Sequence, residues 1–137
     1  MSLILDTKFK LESSDNFDEY CKALGVISVM RSMAKVMFPV VELTKKQDGK
    51  YVLTCNTMIR NTSIEFNLGE EFDEETLDAH KVRSIITLQE GNKLVHIQKR
   101  SGDRKETTII REFEPDQMKM ILTADQVTCT RIFKPIK

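Results

Sequence analysis

From residue 39 onward the chain alternates apolar and polar positions in short runs. They include Val40-Val41-Glu42-Leu43, Tyr51-Val52-Leu53-Thr54, Ser84-Ile85-Ile86-Thr87-Leu88, Lys93-Leu94-Val95-His96-Ile97, Thr107 to Phe113, Met118-Lys119-Met120-Ile121-Leu122 and Val127 to Phe133. A period of two belongs to a strand with one buried face. Turn-forming residues separate the runs at Asp48-Gly49, Gly91-Asn92, Ser101-Gly102-Asp103, Pro115-Asp116 and Ala124-Asp125-Gln126, and each reads as a hairpin connection. The spacing predicts a meander of nine strands, with Lys8-Phe9-Lys10-Leu11 supplying a tenth.

Only residues 16–37 break that period. Phe17, Tyr20, Cys21 and Leu24 recur at helical spacing, as do Val26, Met30, Met33 and Met37, so two amphipathic helices are expected. Ser14 or Asp15 is expected to cap the first, Gly25 to end it, and Pro39 to mark the return to extended chain. Ten antiparallel strands are more than a flat sheet normally carries, and closure removes exposed edges. The predicted fold is therefore mainly β: a ten-stranded antiparallel up-and-down β-barrel (clam) with a two-helix lid, about residues 16–37, between strands one and two. A two-sheet sandwich would give the same alternation. At 137 residues the length suits a single domain, 1–137.

Strand parity then singles out two cations. Residues 109, 111 and 113 share one face of their strand, and 127, 129, 131 and 133 share one face of theirs, so Arg111 and Arg131 lie among Ile109, Phe113, Cys129 and Phe133. A guanidinium flanked by apolar neighbours on a buried face is costly unless an anion or water satisfies it. A barrel this wide keeps a cavity unless large side chains fill it. With no Trp and only 7% aromatic residues, ligand or water is expected inside, and a cationic pocket in an apolar cavity suits a fatty carboxylate.

Composition narrows the alternatives. Lys plus Arg equals Asp plus Glu at 21 each, so no bulk attraction to nucleic acid is expected, and the second helix carries only Arg31 and Lys35, which argues against a DNA-reading helix-turn-helix. Hydrophobic residues at 40% and charged residues at 31% are ordinary for a soluble globular protein. No apolar run reaches membrane-span length. The first residues lack a basic n-region and a small-residue cleavage site, so the expected location is cytoplasmic and not secreted, and the Asn61-Thr62-Ser63 sequon is discounted. Cys21, Cys55 and Cys129 are scattered through apolar patterns and read as small buried residues rather than a disulfide or zinc set. No phosphate-binding glycine loop, Gly-x-Ser-x-Gly elbow or His/Glu metal spacing occurs. Neither catalysis, a cofactor nor a metal is expected.

The segment from Lys10 to Tyr20, Lys-Leu-Glu-Ser-Ser-Asp-Asn-Phe-Asp-Glu-Tyr, resembles the N-terminal signature of the intracellular lipid-binding proteins, the fatty-acid-binding protein family. The resemblance continues through Asn61-Thr62, Leu68 to Glu74, Lys81-Val82-Arg83-Ser84, Leu94 to Lys99 and Val127 to Phe133. It spans essentially the whole chain and is strongest to the muscle and adipose branch. It implies a calycin-like barrel holding one long-chain lipid in a partly hydrated cavity, a monomeric lipid chaperone with the head group at Arg111 and Arg131 and a weaker contribution from Gln98. Phe133 departs from the pattern by replacing a tyrosine, removing one hydrogen bond worth about 0.5–1.5 kcal/mol. Neutral acyl amides are therefore expected alongside free acids.

The same resemblance implies cavity walls of Leu53, Cys55, Thr57, Ile59, Met120 and Leu122, with Gln98 and His96 as polar interior groups, His96 read as a hydrogen-bonded core histidine. Phe17, Ala34 and Ile59 take the portal positions, with Cys21, Met30 and Pro39 nearby. Asp78 and His80 are read as joining an internal water network or facing solvent. Met30, Met33 and Met37 are expected to pack the lid onto the barrel. Lys22, Arg31 and Lys35 are expected as exposed lid charges, on a surface for transient membrane contact or for ligand-dependent nuclear entry and delivery to a nuclear receptor. Ser32 stands where some nuclear-shuttling relatives have a basic residue, which weakens the import reading. The runner-up ligand is a retinoid of the retinoic-acid type, because those relatives also use two arginines. A ligand-free interaction barrel is the remaining alternative, and it requires both arginines to face solvent.

Overall fold

The computed structural model describes residues 2–76, 80–100 and 106–136. The elements in chain order are β1 (Lys8–Asp15), α1 (Phe17–Ala23), α2 (Ser28–Lys35), β2 (Val40–Lys45), β3 (Tyr51–Asn56), β4 (Asn61–Phe66), β5 (Phe72–Glu75), β6 (Lys81–Gln89), β7 (Lys93–Lys99), β8 (Thr107–Glu114), β9 (Gln117–Ala124) and β10 (Val127–Pro135). All ten strands form one antiparallel sheet in the order β4-β3-β2-β1-β10-β9-β8-β7-β6-β5. The sheet curls into a nearly closed barrel with β4 and β5 ending the ladder on either side, which excludes the two-sheet sandwich. Both helices lie between β1 and β2, as the break in periodicity predicts.

The alternation that forms the strands also sets the inside. On β8 the buried residues are Thr107, Ile109, Arg111 and Phe113, on β9 Met118, Met120, Leu122 and Ala124, and on β10 Cys129, Arg131 and Phe133. Arg111 and Arg131 are both register partners of Met120, so they stand at one level of the barrel on either side of β9. Their strands are two ladder spacings apart, about 9–10 Å. One level further along, Phe113 pairs with Met118 and Met118 with Phe133. Phe9 meets Phe113 edge to face with ring centroids 6.1 Å apart, and these residues, with Leu43 and Leu94, are essentially inaccessible. This packed layer is the floor on which the cavity rests.

Two local expectations are corrected. β1 extends past Leu11 to Asp15, across a bulge between Leu11 and Ser13. Ser14 and Asp15 therefore pair with Arg131 and Thr130 instead of capping a helix. The residue before α1 is Asn16, at φ 67, and its side-chain amide donates to the Thr128 carbonyl at 3.0 Å instead of capping. Gly25 does end the first helical segment, at φ 81, where a Cβ would be strained. The second correction concerns packing of the lid. α1 buries Tyr20 and Cys21, but α2 buries no residue, and Met30 and Met33 are each 43% exposed. The methionines thus do not fasten α2 to the barrel. The Ser101-Gly102-Asp103 turn lies outside the described residues.

Floor and wall should respond differently to truncation. Phe113→Ala opens a void in closed packing and is expected to cost about 3–5 kcal/mol. Leu122→Ala enlarges a space that already exists and should cost less than Phe113→Ala. Urea denaturation of both variants measures this, and equal losses would contradict a packed floor beneath an open cavity.

Candidate functional site

Between the barrel wall and the lid lies a cavity of about 440 Å3, within the ~300–1,000 Å3 usual for small-molecule sites. Leu53, Cys55, Thr57, Ile59, Met120 and Leu122 line it. Phe17, Cys21, Met30, Ala34 and Pro39 contribute from the lid and its return. Arg111, Arg131, Gln98 and Phe133 line it as well, so the two cations do share one apolar space. Both arginines are 8% exposed, which removes the solvent-facing arrangement that a ligand-free interaction barrel requires.

Each arginine is held differently. Arg111 Nη1 donates to His96 Nδ1 at 3.1 Å. A guanidinium only donates, so Nδ1 carries the lone pair, and the ring's proton sits on Nε2, which donates to Glu74 Oε1 at 2.8 Å. Ser84 Oγ and Gln98 Nε2 donate to the same oxygen at 2.7 and 3.2 Å, and Thr107 Oγ1 donates to Gln98 Oε1 at 2.7 Å. His96 is therefore a neutral imidazole relaying Arg111 to a carboxylate. Burial pushes its pKa below the ordinary value, against the hydrogen bond to Glu74. For Glu74 burial acts upward, yet the hydrogen bonds from His96, Ser84 and Gln98 prevail and hold the carboxyl below its ordinary value. Arg111 Nε is buried without a hydrogen-bond partner among the described residues.

Among the described residues, Arg131 is bonded and stacked only by neutral groups. Its Nε donates to Ser14 Oγ at 2.9 Å, and its guanidinium carbon lies 3.9 Å from the Phe17 ring centroid and 6.0 Å from that of Phe133. Phe17 is the first residue of α1, so the lid itself covers this cation through a cation–π contact. Burial lowers the pKa of both arginines, which remain cations at any physiological pH.

The remaining expected site residues divide. His96 is the hydrogen-bonded core histidine expected, buried in the network, and is not among the residues that line the cavity. Asp78 lies outside the described residues, while His80 exchanges backbone and hydroxyl hydrogen bonds with Thr76. Cys55 is a half-buried wall residue, whereas Cys21 and Cys129 are buried. The lid charges Lys22, Arg31 and Lys35 all approach Asp18, at 3.6, 3.1 and 3.9 Å. Arg31 also donates to the Val26 carbonyl at 2.7 Å, so it is a half-buried staple between the helices and not an exposed charge.

Sequence reasoning missed Glu74, Glu75, Arg60 and Arg100, which also line the cavity. Arg60 and Glu75 approach each other at 3.8 Å. For Glu74 a signal was present: in β5 it shares the inward side with Phe72. Five acidic residues within Glu70–Glu75 obscured which one turns in.

Comparison with known proteins gives a consistent match. The model of the lipocalin / cytosolic fatty-acid binding protein family matches residues 7–135. The chain is 48% identical to the muscle fatty acid-binding protein of Schistocerca gregaria over 93% of its length and 92% of that protein's. It is 40% identical to cellular retinoic acid-binding protein 1 of Takifugu rubripes, over 91% of this chain and 93% of that one. Among solved structures, it superposes on the fatty acid-binding protein of Drosophila melanogaster brain tissue with TM-score 0.87, 48% identity, and coverage of 95% and 98%. It superposes on the Schistosoma mansoni fatty acid binding protein in complex with arachidonic acid with TM-score 0.88, 34% identity, and coverage of 95% and 94%.

The buried relay makes stability pH-dependent in a defined direction. His96 has a depressed pKa in the folded chain, so its contribution is present above the unfolded value of about 6.5 and is lost as pH falls toward the folded one. Glu74, also depressed, loses its contribution only below about 4.3. Thermal midpoints followed by circular dichroism should fall as pH drops below ~6.5, and His96→Gln should flatten the decline before carboxylates begin to titrate. An unchanged slope would contradict a buried neutral imidazole.

Proposed function

Since this chain belongs to the lipocalin / cytosolic fatty-acid binding protein family, we propose that it is an intracellular, non-covalent carrier of a long-chain fatty acid or related acyl lipid. The family is one of lipid-binding carriers and not of enzymes. The observation that carries the reading is the buried, unpartnered Nε of Arg111 in the same apolar cavity as Arg131. A carboxylate between the two would gain charge-assisted hydrogen bonds, direct or through water. The alkyl chain would lie against Leu53, Ile59, Met120 and Leu122, and would supply most of the affinity at ~0.8 kcal/mol per methylene.

Gln98 is the weaker third polar group, because its amide is already engaged by Glu74 and Thr107. Phe133 offers a ring but no hydroxyl, so head-group discrimination is loose and acyl amides are included in the ligand class. A retinoic-acid-type ligand is the second reading, favoured by the 40% identity to a cellular retinoic acid-binding protein and by the same arginine pair.

Delivery is assigned to the lid. Ile27, Val29, Val36 and Phe38 are more than half exposed around it, which supports transient contact with an acceptor membrane. Nuclear entry and handover to a nuclear receptor receive less support, since Asp18 approaches all three basic lid residues. Cytoplasmic residence, a monomeric state and one domain over residues 1–137 complete the reading.

Native mass spectrometry of delipidated protein incubated with oleic acid or all-trans retinoic acid should show one lipid per chain. The fatty acid should compete the better against a fluorescent fatty-acid probe. In a series of saturated acids, affinity should rise about fourfold per methylene, the equivalent of ~0.8 kcal/mol, until the cavity is full. Arg131→Gln should weaken acid binding by roughly 10- to 100-fold, the loss expected for a charged hydrogen bond. Failure to bind either lipid would refute the carrier reading.

A further inference from the structure

We infer that Glu74 sets how strictly this site demands an anionic head group, acting through His96 on Arg111. The inference rests on the carrier reading above and concerns a residue that makes no contact in the lipid scheme just described. Its basis is the asymmetry between the two cations. Arg111, His96 and Glu74 form a chain of cation, neutral imidazole and anion, closed by bonds of 3.1 and 2.8 Å. The formal charge of Arg111 is thereby offset inside the protein before any ligand arrives. Arg131 touches a hydroxyl and two aromatic rings, and no described carboxylate pairs with it.

A lipid head group placed between the arginines is exposed to the field of all three charges, since Arg111, Arg131 and Glu74 border one cavity. Against Arg131 an anion is favoured, because no carboxylate among the described residues neutralises the guanidinium. Against Arg111 the group on offer is the unpartnered Nε–H, a hydrogen-bond donor whose positive field is reduced by the carboxylate across the imidazole. A neutral carbonyl can accept that bond without leaving a cation uncompensated. Glu74 therefore lowers the preference for an acid over an amide of the same chain.

The other charged or ionisable groups facing this space do not alter the comparison. Arg60 and Glu75 lie against each other. Arg100 lines the cavity just past the end of β7 and acts on Tyr20, the Tyr20 hydroxyl is raised to about 12 by burial, and burial also raises the Cys55 thiol. None of these changes charge between acid- and amide-bound states at neutral pH.

The test uses Glu74→Gln, which keeps the shape and an amide oxygen to accept from His96 but removes the anion. Competitive displacement of a fluorescent fatty-acid probe by palmitic acid and by N-palmitoylethanolamine gives an acid-to-amide affinity ratio for wild type and variant. The expected result is a rise in that ratio of roughly tenfold or more, the order of a close buried charge coupling, with amide affinity nearly unchanged. A merely structural role for Glu74 would weaken both lipids together, and an unchanged ratio in a variant that still binds the probe would overturn the inference. Should Glu74→Gln fail to fold, Arg111→Gln alone, which leaves the carboxylate uncompensated, is compared with Arg111→Gln combined with Glu74→Gln, which removes both charges. The acid-to-amide ratio should be higher in the double variant, and equal ratios would overturn the inference. Absence of any lipid binding by wild type would refute the carrier reading itself, a separate outcome.

Discussion

A guanidinium inside an apolar barrel is the constraint around which this structure is arranged. Arg111 is 8% exposed, and leaving it unpaired would cost several kcal/mol after relaxation. The chain answers with a polar layer drawn from four adjacent strands: Glu74 on β5, Ser84 on β6, His96 and Gln98 on β7, Thr107 and Arg111 on β8. β5 is only four residues long, pairs with β6 alone and ends the sheet. The side-chain bonds to Glu74 thus tie down the edge strand with the fewest ladder bonds, so the device that makes the buried cation tolerable also fastens the barrel beside its open seam.

The lid follows from the opposite economy of contacts. α1 is anchored by buried Tyr20 and Cys21 and by the stack of Phe17 on Arg131, whereas α2 buries nothing. What holds α2 in place is Asp18 on α1, through Arg31, together with the bond from Arg31 to the Val26 carbonyl. With no buried residue of its own, α2 belongs to the low-stability end of the molecule, where segments that open are found. A carboxylate approaching Arg131 would meet the cation beneath Phe17, which links the innermost polar contact of the cavity to the anchored half of the lid.

Much of this was readable from the chain because strand parity is unforgiving: a shift of one residue turns every side chain to the other face. Ile109, Arg111 and Phe113 on one strand, and Cys129, Arg131 and Phe133 on another, could share the inside only as they do. The same rule places Phe72 and Glu74 together, but in a segment of five acidic residues no local pattern distinguishes the carboxylate that meets a histidine 22 positions later. The lid was legible in existence and not in packing. Methionines at helical spacing look alike whether they fill a core or border a cavity, and only tertiary placement tells which. Ser14 and Asp15 have good capping chemistry, yet the ladder with β10 claims both through Asp15, because continuous strand pairing satisfies more backbone groups than a single cap.

The two arginines are chemically identical and stand at equal depth, yet their surroundings give them different work. With Met120 as common register partner they are equivalent in the sheet, and the difference arises entirely from their other neighbours. β7 brings His96 and, behind it, an anion to Arg111; β1 and the lid bring Arg131 a hydroxyl and a ring. On the carrier reading proposed above, charge neutralisation and hydrogen-bond donation, which a single arginine would have to provide together, would be separated between two sites. Each could then be tuned by its own neighbours. Head-group selectivity would in that case be a property of β5 and β7 as much as of the cations on β8 and β10.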